Sequence, residues 1–136
     1  MVKLTDRSIL MSRLANILEK EKEKLGRLIT LEMGKLIGEA HSEIEKCAWL
    51  CKYYAENAEE MLKPEILPSD GSESYVRFDP TGVIYAIMPW NFPFWQVLRF
   101  AVPTIMAGNT MVLKHSPNVF GCAQAIEQLF IEAGFP

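Results

Sequence analysis

The chain has 136 residues, of which 49% are apolar and 23% charged, and its 14 basic and 17 acidic side chains give a net charge of −3. The apolar fraction is too high for a disordered chain. The slight acidity argues against a nucleic-acid binder, which needs a basic surface to neutralise phosphates. The length allows one domain. No uncharged apolar run of about 18 residues is present, so we expect no membrane span.

The cysteines and histidines argue against a disulfide framework and a metal site. The three cysteines are an odd number, and Cys47 and Cys51 lie four positions apart in a helical pattern, so we interpret them and Cys122 as packing residues. Free thiols of this kind suit a reducing compartment, and with no apolar signal segment at the N-terminus we expect a cytoplasmic protein. His41 and His115 are too far apart in sequence to suggest metal ligands.

Residues 1–62 predict a helical segment. Apolar side chains recur at spacings of three and four, and the first stripe contains Leu10, Leu14, Ile17, Leu18, Leu25, Leu28 and Ile29. We expect the charged run 19–24 to form the solvated face of this helix and Gly34 to end it. A second helix is expected from about residue 36 to 62, with a stripe that includes Ile37, Ala40, Ile44, Cys47, Ala48 and Cys51.

Residues 63–81 predict an antiparallel hairpin. Pro64 ends the second helix, because proline cannot continue it. Turn residues occupy 69–72, between short runs with strand character at 65–67 and 75–78.

Residues 82–136 predict a βαβα unit with a right-handed crossover. A continuously apolar strand at 82–88, expected to be buried on both faces, is followed by a helix at 94–107 and a second strand at 110–114. Residues 116–118 open a last helix that ends at Gly134, with Ala123, Ile126, Phe130 and Ile131 expected to point inward. Two parallel strands make a poor sheet, so we expect a piece of a larger α/β domain or a chain that pairs with a partner.

The most specific segment is Pro-Trp-Asn-Phe-Pro at 89–93, directly after the first parallel strand. Ligands of open α/β sheets bind beyond the carboxyl ends of strands. The amide of Asn91, held between two prolines, could donate to the oxyanion of a carbonyl that becomes tetrahedral. The alternative is a proline-bounded turn in which Asn91 bonds to its own backbone. The residues alone do not decide between the two.

Several segments together resemble the NAD(P)-dependent aldehyde dehydrogenase superfamily, in its succinate-semialdehyde dehydrogenase-like branch. They are residues 31–35, 82–94, 102–109, 112–118 and 121–123. The resemblance covers nearly the whole chain and corresponds to the family's N-terminal part. It implies an α/β fold with N-terminal helices, a β-hairpin of the oligomerisation type, and the first βαβα of a Rossmann-like cofactor domain, truncated.

The resemblance also implies roles for individual residues. Asn91 would be the catalytic side-chain half of the oxyanion hole. The backbone at Met88 and the Trp90 ring would line the cofactor cleft, with the Trp90 indole N–H near the pyrophosphate. Lys114 would reach the adenosine ribose hydroxyls. The alternative for Lys114 is a lysine at the end of a strand whose charged head simply extends into water.

Position 117 bears on the choice between NADP and NAD as the cofactor. Many NAD-preferring relatives have a glutamate three residues after this lysine, where a carboxylate would repel a 2′-phosphate. This chain has Pro117 there, and Lys114, Ser116 and His115 are compatible with a 2′-phosphate. The segment therefore leans towards NADP.

Two functions stay open. The family's nucleophilic Cys, its general-base Glu and its Gly-rich turn lie beyond the motifs found here. The first function is therefore a fragment of an aldehyde-oxidising enzyme that is inactive alone. Its partners would be the C-terminal part of that enzyme and a small aldehyde. The alternative is a non-catalytic remnant that folds, oligomerises or docks. Four aromatic side chains beside the short sheet, Trp90, Phe92, Phe94 and Trp95, also predict self-association.

Overall fold

The computed structural model describes residues 2–136 as a mixed α/β arrangement. Three helices come first, a small antiparallel strand pair follows, and a parallel β-α-β unit with a further helix completes the chain. The elements are α1 (Leu4–Lys20), α2 (Lys22–Met33), α3 (Ile37–Met61), β1 (Glu65–Ile66), β2 (Tyr75–Val76), β3 (Val83–Met88), α4 (Trp95–Met106), β4 (Thr110–His115) and α5 (Phe120–Ala133).

The first predicted helix is in fact two helices. The backbone leaves helical geometry at Glu21, with φ −91° and ψ 6°, and α2 begins at the next residue. The six charged side chains at 19–24 bury little apolar surface, so the helix bends where packing holds it least. The predicted end at Gly34 is confirmed: this glycine has φ 76°, a left-handed conformation that costs a residue without Cβ little, and its N–H donates to the Thr30 carbonyl.

The hairpin is confirmed in a shorter form than the sequence predicts. Glu65 pairs with Val76 and Ile66 with Tyr75, and all four residues are exposed. In the turn, the Ser69 hydroxyl accepts the N–H of Gly71 at 3.1 Å.

The two longer strands are parallel, as predicted, but β3 is not buried on both faces. Val83 pairs with Thr110 and Met88 with His115, so the carboxyl ends of β3 and β4 lie side by side. Along β3 only Ala86 is buried, whereas Val83 and Ile87 are each 70% exposed. Helix α4 packs against one face of the sheet, and no other element of residues 2–136 covers the opposite face. The sequence of β3 cannot show which face is exposed, because apolar side chains lie on both faces of the strand.

A single core joins the N-terminal helices to the βα unit. Met11, Leu14, Ile44, Phe94 and Leu98 all lie in it and are almost completely inaccessible to solvent. The burial of Phe94 corrects the predicted aromatic patch, in which only Trp90 and Phe92 are about half exposed.

The inward face of α5 also differs from the prediction. Ile131 is 57% exposed, and Cys122, Ile126, Leu129 and Ala133 are the buried residues of this helix. Ala123 and Phe130 are half-buried. Within residues 2–136 no helix is long and apolar enough to cross a membrane. The same residues contain no cluster of three or more His, Cys, Asp or Glu side chains suited to a metal ion.

The packing interpretation of the cysteines is confirmed, because Cys47, Cys51 and Cys122 are all buried as free thiols. Burial raises the pKa of Cys51 from the ordinary 9.0 to about 12, and it raises the pKa of Cys47 well above 9.0. The pKa of Cys122 is also raised, first by burial and then by the Glu32 carboxylate. Such thiols are poor nucleophiles at neutral pH.

These raised pKa values predict a loss of stability in alkali. Above pH 9 the unfolded chain releases the Cys51 proton while the folded chain keeps it, so the free energy of unfolding falls as the pH rises towards the folded pKa of about 12. Urea unfolding between pH 8 and 11 measures this. In Cys51→Ala the free energy of unfolding should fall with pH less steeply, by about 1.4 kcal/mol per pH unit. Equal slopes in the wild type and Cys51→Ala would contradict the raised pKa of Cys51.

Candidate functional site

The loop after β3 presents Asn91 at the carboxyl edge of the parallel sheet. The Asn91 side chain is exposed, and its amide makes no hydrogen bond to another residue within 2–136, including those of its own turn. Its two N–H donors are therefore free for a ligand at this edge.

The four residues that follow Asn91 are each held by a side chain from elsewhere. The ammonium of Lys35 lies 3.6 Å from the ring centroid of Phe92. Pro93 is buried, and its carbonyl oxygen lies 2.9 Å from Nε2 of His115. The backbone N–H groups of Phe94 and Trp95 both donate to Oε1 of Glu43, at 2.9 and 3.0 Å. The segment that follows Asn91 is thus contacted by three side chains from elsewhere in the chain, two of them at its backbone.

Glu43 supplies the N-terminal cap that α4 lacks. The N-cap residue of this helix, Phe94, has no side chain that can accept a hydrogen bond, so the first N–H groups need another partner. Glu43 reaches them from the second turn of α3, and its negative charge is stabilised by the positive end of the α4 dipole. The other carboxylate oxygen, Oε2, pairs with the ammonium of Lys35, and the two side chains are only 1% and 7% exposed.

His115 connects the end of β4 to the same loop. Its Nδ1 accepts the N–H of Ser116 at 2.8 Å, so the ring hydrogen is on Nε2. Nε2 then donates to the Pro93 carbonyl. The neutral imidazole is suited to both contacts, and the two strand ends are tied together through it.

The other residues assigned from the resemblance lie at the same edge. Met88 is half-buried at the end of β3, and Trp90 is 50% exposed in the loop behind it. On the neighbouring strand end, Lys114 is exposed and its Nζ donates to the His115 carbonyl at 2.9 Å. The Ser116 hydroxyl donates to Oδ1 of Asn118 at 2.6 Å. Pro117 is exposed and begins the short 3₁₀ turn Pro117–Val119.

A second glutamate caps α5 in the same way. Glu32, near the end of α2, accepts the N–H of Gly121 on Oε1 and the N–H of Cys122 on Oε2, both at 2.8 Å. The N-cap residue of α5, Val119, cannot serve as a cap. A Cβ at Gly121 would lie 2.7 Å from Oε1 of Glu32, so glycine allows this close approach.

Sequence reasoning missed the roles of Glu32, Lys35 and Glu43. A signal for Glu43 was present, because it lies within the apolar stripe between Ala40 and Cys47, where a lone carboxylate needs a buried partner. Glu32 and Lys35 entered only as members of a family-like segment, and their partners lie too far along the chain for a local pattern to identify.

The whole chain, residues 1–136, matches the model of the aldehyde dehydrogenase family. The chain therefore belongs to this family, as the sequence motifs predicted. The structure agrees, since it superimposes on solved aldehyde dehydrogenase chains with TM-scores of 0.93 to 0.95 and covers 28% to 29% of their length.

Several relatives carry the name succinate-semialdehyde dehydrogenase. A Synechocystis protein described as a "Probable succinate-semialdehyde dehydrogenase" of the NADP(+) type is 53% identical over 122 residues, which are 90% of this chain and 27% of that protein. The NAD(P)+ enzyme of Escherichia coli is 50% identical over 88% of this chain and 26% of its own length. The Streptococcus pyogenes enzyme, solved with NADP+, is 40% identical with a TM-score of 0.95, and the match covers 98% of this chain and 29% of that one. The chain thus spans about a quarter of the length of its curated relatives.

The close approach of Glu32 to Gly121 predicts the effect of one added methyl group. Gly121→Ala should push the carboxylate off both N–H groups and lower the free energy of unfolding by about 1–3 kcal/mol, measured by urea unfolding. Gly38→Ala is the matched control, because a Cβ at this helical glycine meets nothing within 4 Å, and alanine favours a helix. In a chain that already carries Glu32→Ala, Gly121→Ala should cost much less. If it lowered the free energy of unfolding there as much as in the wild type, loss of the cap would not explain the effect.

Proposed function

We propose that this chain supplies the oxyanion-stabilising amide and one side of the cofactor cleft of an NAD(P)-dependent aldehyde dehydrogenase. One observation carries the proposal: the unpaired amide of Asn91 lies at the carboxyl edge of the sheet, in a loop whose next four residues are held by Lys35, Glu43 and His115.

The chemistry follows from where charge develops. When a thiolate attacks an aldehyde, the carbonyl oxygen becomes an oxyanion, and a donor already aimed at it stabilises the transition state by about 3–4 kcal/mol. A donor that must first reorganise loses part of this gain. Asn91 meets the requirement because its N–H groups are free and its neighbours are fixed. The three thiols of this chain are buried, so the attacking thiolate would come from the remainder of the enzyme.

The cofactor would lie across the ends of β3 and β4, which form the start of a Rossmann-like unit. Met88 and Trp90 would line one side of the cleft, and Lys114, Ser116 and Pro117 the other. When bound, NADP+ or NAD+ supplies the hydride acceptor of the oxidation. The exposed ammonium of Lys114, the Ser116 hydroxyl and the absence of a carboxylate at position 117 suit a 2′-phosphate, and the NADP(+) names of two relatives support this preference.

The substrate proposal rests on the relatives. The Synechocystis, Escherichia coli and Streptococcus proteins all carry the name of succinate semialdehyde. We therefore propose succinate semialdehyde as the aldehyde that the whole protein oxidises to its acid, with the remaining three quarters of the enzyme as the partner of this chain.

A non-catalytic association module is the alternative function, and the open face of the parallel sheet favours it. Val83, Tyr85, Ile87 and Val112 are each between 55% and 70% exposed on this face. Apolar surface of this kind commonly marks an interface, and a second copy of the chain would cover it with matching apolar side chains.

The proposed role of Asn91 is tested in a chimera in which this chain replaces the matching quarter of the Synechocystis relative. The chimera should oxidise succinate semialdehyde with NADP+, and Asn91→Ala should lower kcat by about 10²–10³ with little change in KM, because the amide acts on the transition state. Asn57→Ala is the matched control, since the exposed Asn57 amide donates to the Tyr53 carbonyl within α3. A folded Asn91→Ala chimera with unchanged kcat would refute the assignment.

The cofactor proposal predicts the effect of a carboxylate at position 117. In the same chimera, Pro117→Glu should raise KM for NADP+ by about tenfold, equivalent to about 1.4 kcal/mol, while KM for NAD+ changes little. The reason is repulsion between the new carboxylate and the 2′-phosphate. Pro117→Gln is the control, because glutamine has the shape of glutamate without its charge. It separates the effect of charge repulsion on KM from the effect of losing the proline. Equal shifts for the two cofactors would contradict the placement.

The alternative function predicts association of the isolated chain. Sedimentation at micromolar concentration should show a dimer, and Tyr85→Lys in the open sheet face should shift it to monomer. Glu56→Lys on α3 changes charge away from that face and should leave the dimer intact. A monodisperse wild-type monomer would count against the alternative.

A further inference from the structure

We propose that Glu43, through its ion pair with Lys35, is a positioning residue for Asn91, so that a buried ion pair in the N-terminal helices sets the efficiency of the oxyanion site. This inference rests on the proposed function and deepens it, because it assigns a role to residues that touch neither the substrate nor the cofactor.

The loop that carries Asn91, residues 89–94, is anchored in the core by Phe94 and by the buried Pro93. Asn91 itself bonds to no residue of 2–136, and the loop's Phe92 ring is 44% exposed. The side chains that make polar contacts with residues 92–95 are Lys35, Glu43 and His115. Of these three, Glu43 is the most buried and makes three polar contacts at once, two to N–H groups of the loop–helix junction and one to Lys35.

The ion pair extends the hold of Glu43 to the residue next to Asn91. One carboxylate oxygen fixes the amides of Phe94 and Trp95, and the other fixes the Lys35 ammonium, which lies against the Phe92 ring. A cation over an aromatic ring is attracted to its face. Glu43 therefore holds the backbone directly after Pro93 and, through Lys35, contacts the side chain of Phe92, the residue that follows Asn91.

Comparison with Glu32 separates positioning from simple capping. Glu32 also caps a helix with both of its carboxylate oxygens. In the part of the chain that the structure describes, it makes no ion pair with a lysine and no hydrogen bond to residues 89–95. Glu43 is fully buried whereas Glu32 is only half-buried, so the charge of Glu43 needs an opposite charge, and the lysine that supplies it also contacts Phe92 of the loop.

The test is a double-mutant cycle in the chimera with the Synechocystis relative. Glu43→Gln can still accept an amide N–H but loses the ion pair, so the loop should shift while the helix keeps part of its cap. Since a misplacement of about 1 Å costs about 10²-fold in rate, we expect Glu43→Gln to lower kcat about 10- to 100-fold with little change in KM for the aldehyde. In an Asn91→Ala background, the same substitution should change kcat by less than about twofold, because the donor it positions is gone.

Further variants decide between positioning and structural support. Glu32→Gln is the matched control, and it should lower stability without lowering kcat. Lys35→Met should reproduce the loss in Glu43→Gln, whereas Lys35→Arg should restore most of the activity, because a guanidinium can also pair with a carboxylate and stack on a ring. If Glu43→Gln does not fold, Phe92→Leu takes its place in the double-mutant cycle. This substitution removes only the contact between the Phe92 ring and Lys35, at a half-exposed position.

Each contrary outcome has a separate meaning. If Glu43→Gln lowers kcat by the same factor with and without Asn91→Ala, the positioning role is overturned. The same holds if Glu32→Gln lowers kcat as much as Glu43→Gln does. Both outcomes leave the proposed function intact. An unchanged kcat in Asn91→Ala alone would overturn the proposed function, and the positioning role with it.

Discussion

A carboxylate buried in the second turn of α3 connects the two parts of this structure. Glu43 accepts two N–H groups of α4 and pairs with Lys35, so it joins the helices at the start of the chain to the loop that carries Asn91. A charge that is removed from water persists only where hydrogen bonds and an opposite charge compensate for it. The positions of α3, the 34–36 connection and α4 are therefore mutually dependent. Removing any one partner leaves another charge buried and unpaired.

The same arrangement occurs twice, which makes the N-terminal helices a framework for the βα unit rather than a separate layer. Both helices that follow a parallel strand begin at apolar residues, Phe94 and Val119, that cannot cap them. Both receive a glutamate from the N-terminal helices instead. The two helix ends beside the proposed active site are thus oriented by side chains that precede them by 51 and 89 residues.

Local patterns predict much of this fold and part of its site. Gly34, Pro64 and Gly134 correctly mark the ends of helices, and the short apolar runs correctly mark the parallel strands. The position of Asn91 at the sheet edge follows from its place after β3. The half-exposure of β3 does not follow from local pattern, because it depends on which face of the sheet finds a partner. The contacts of Glu32 and Glu43 are equally hidden, since each joins residues far apart in sequence.

The capping of α4 and α5 by earlier residues has a consequence for the order in which the chain can fold during synthesis. Protein chains emerge from the ribosome N-terminus first, so the acceptors Glu32 and Glu43 are exposed before the amides they receive exist. The N-terminal helices can pack early, through contacts that are close in sequence, and then wait with two carboxylates facing water. Each later helix can dock onto its carboxylate as it emerges, so the long loop closures are guided by a preformed surface rather than left to chance encounters between two unstructured segments.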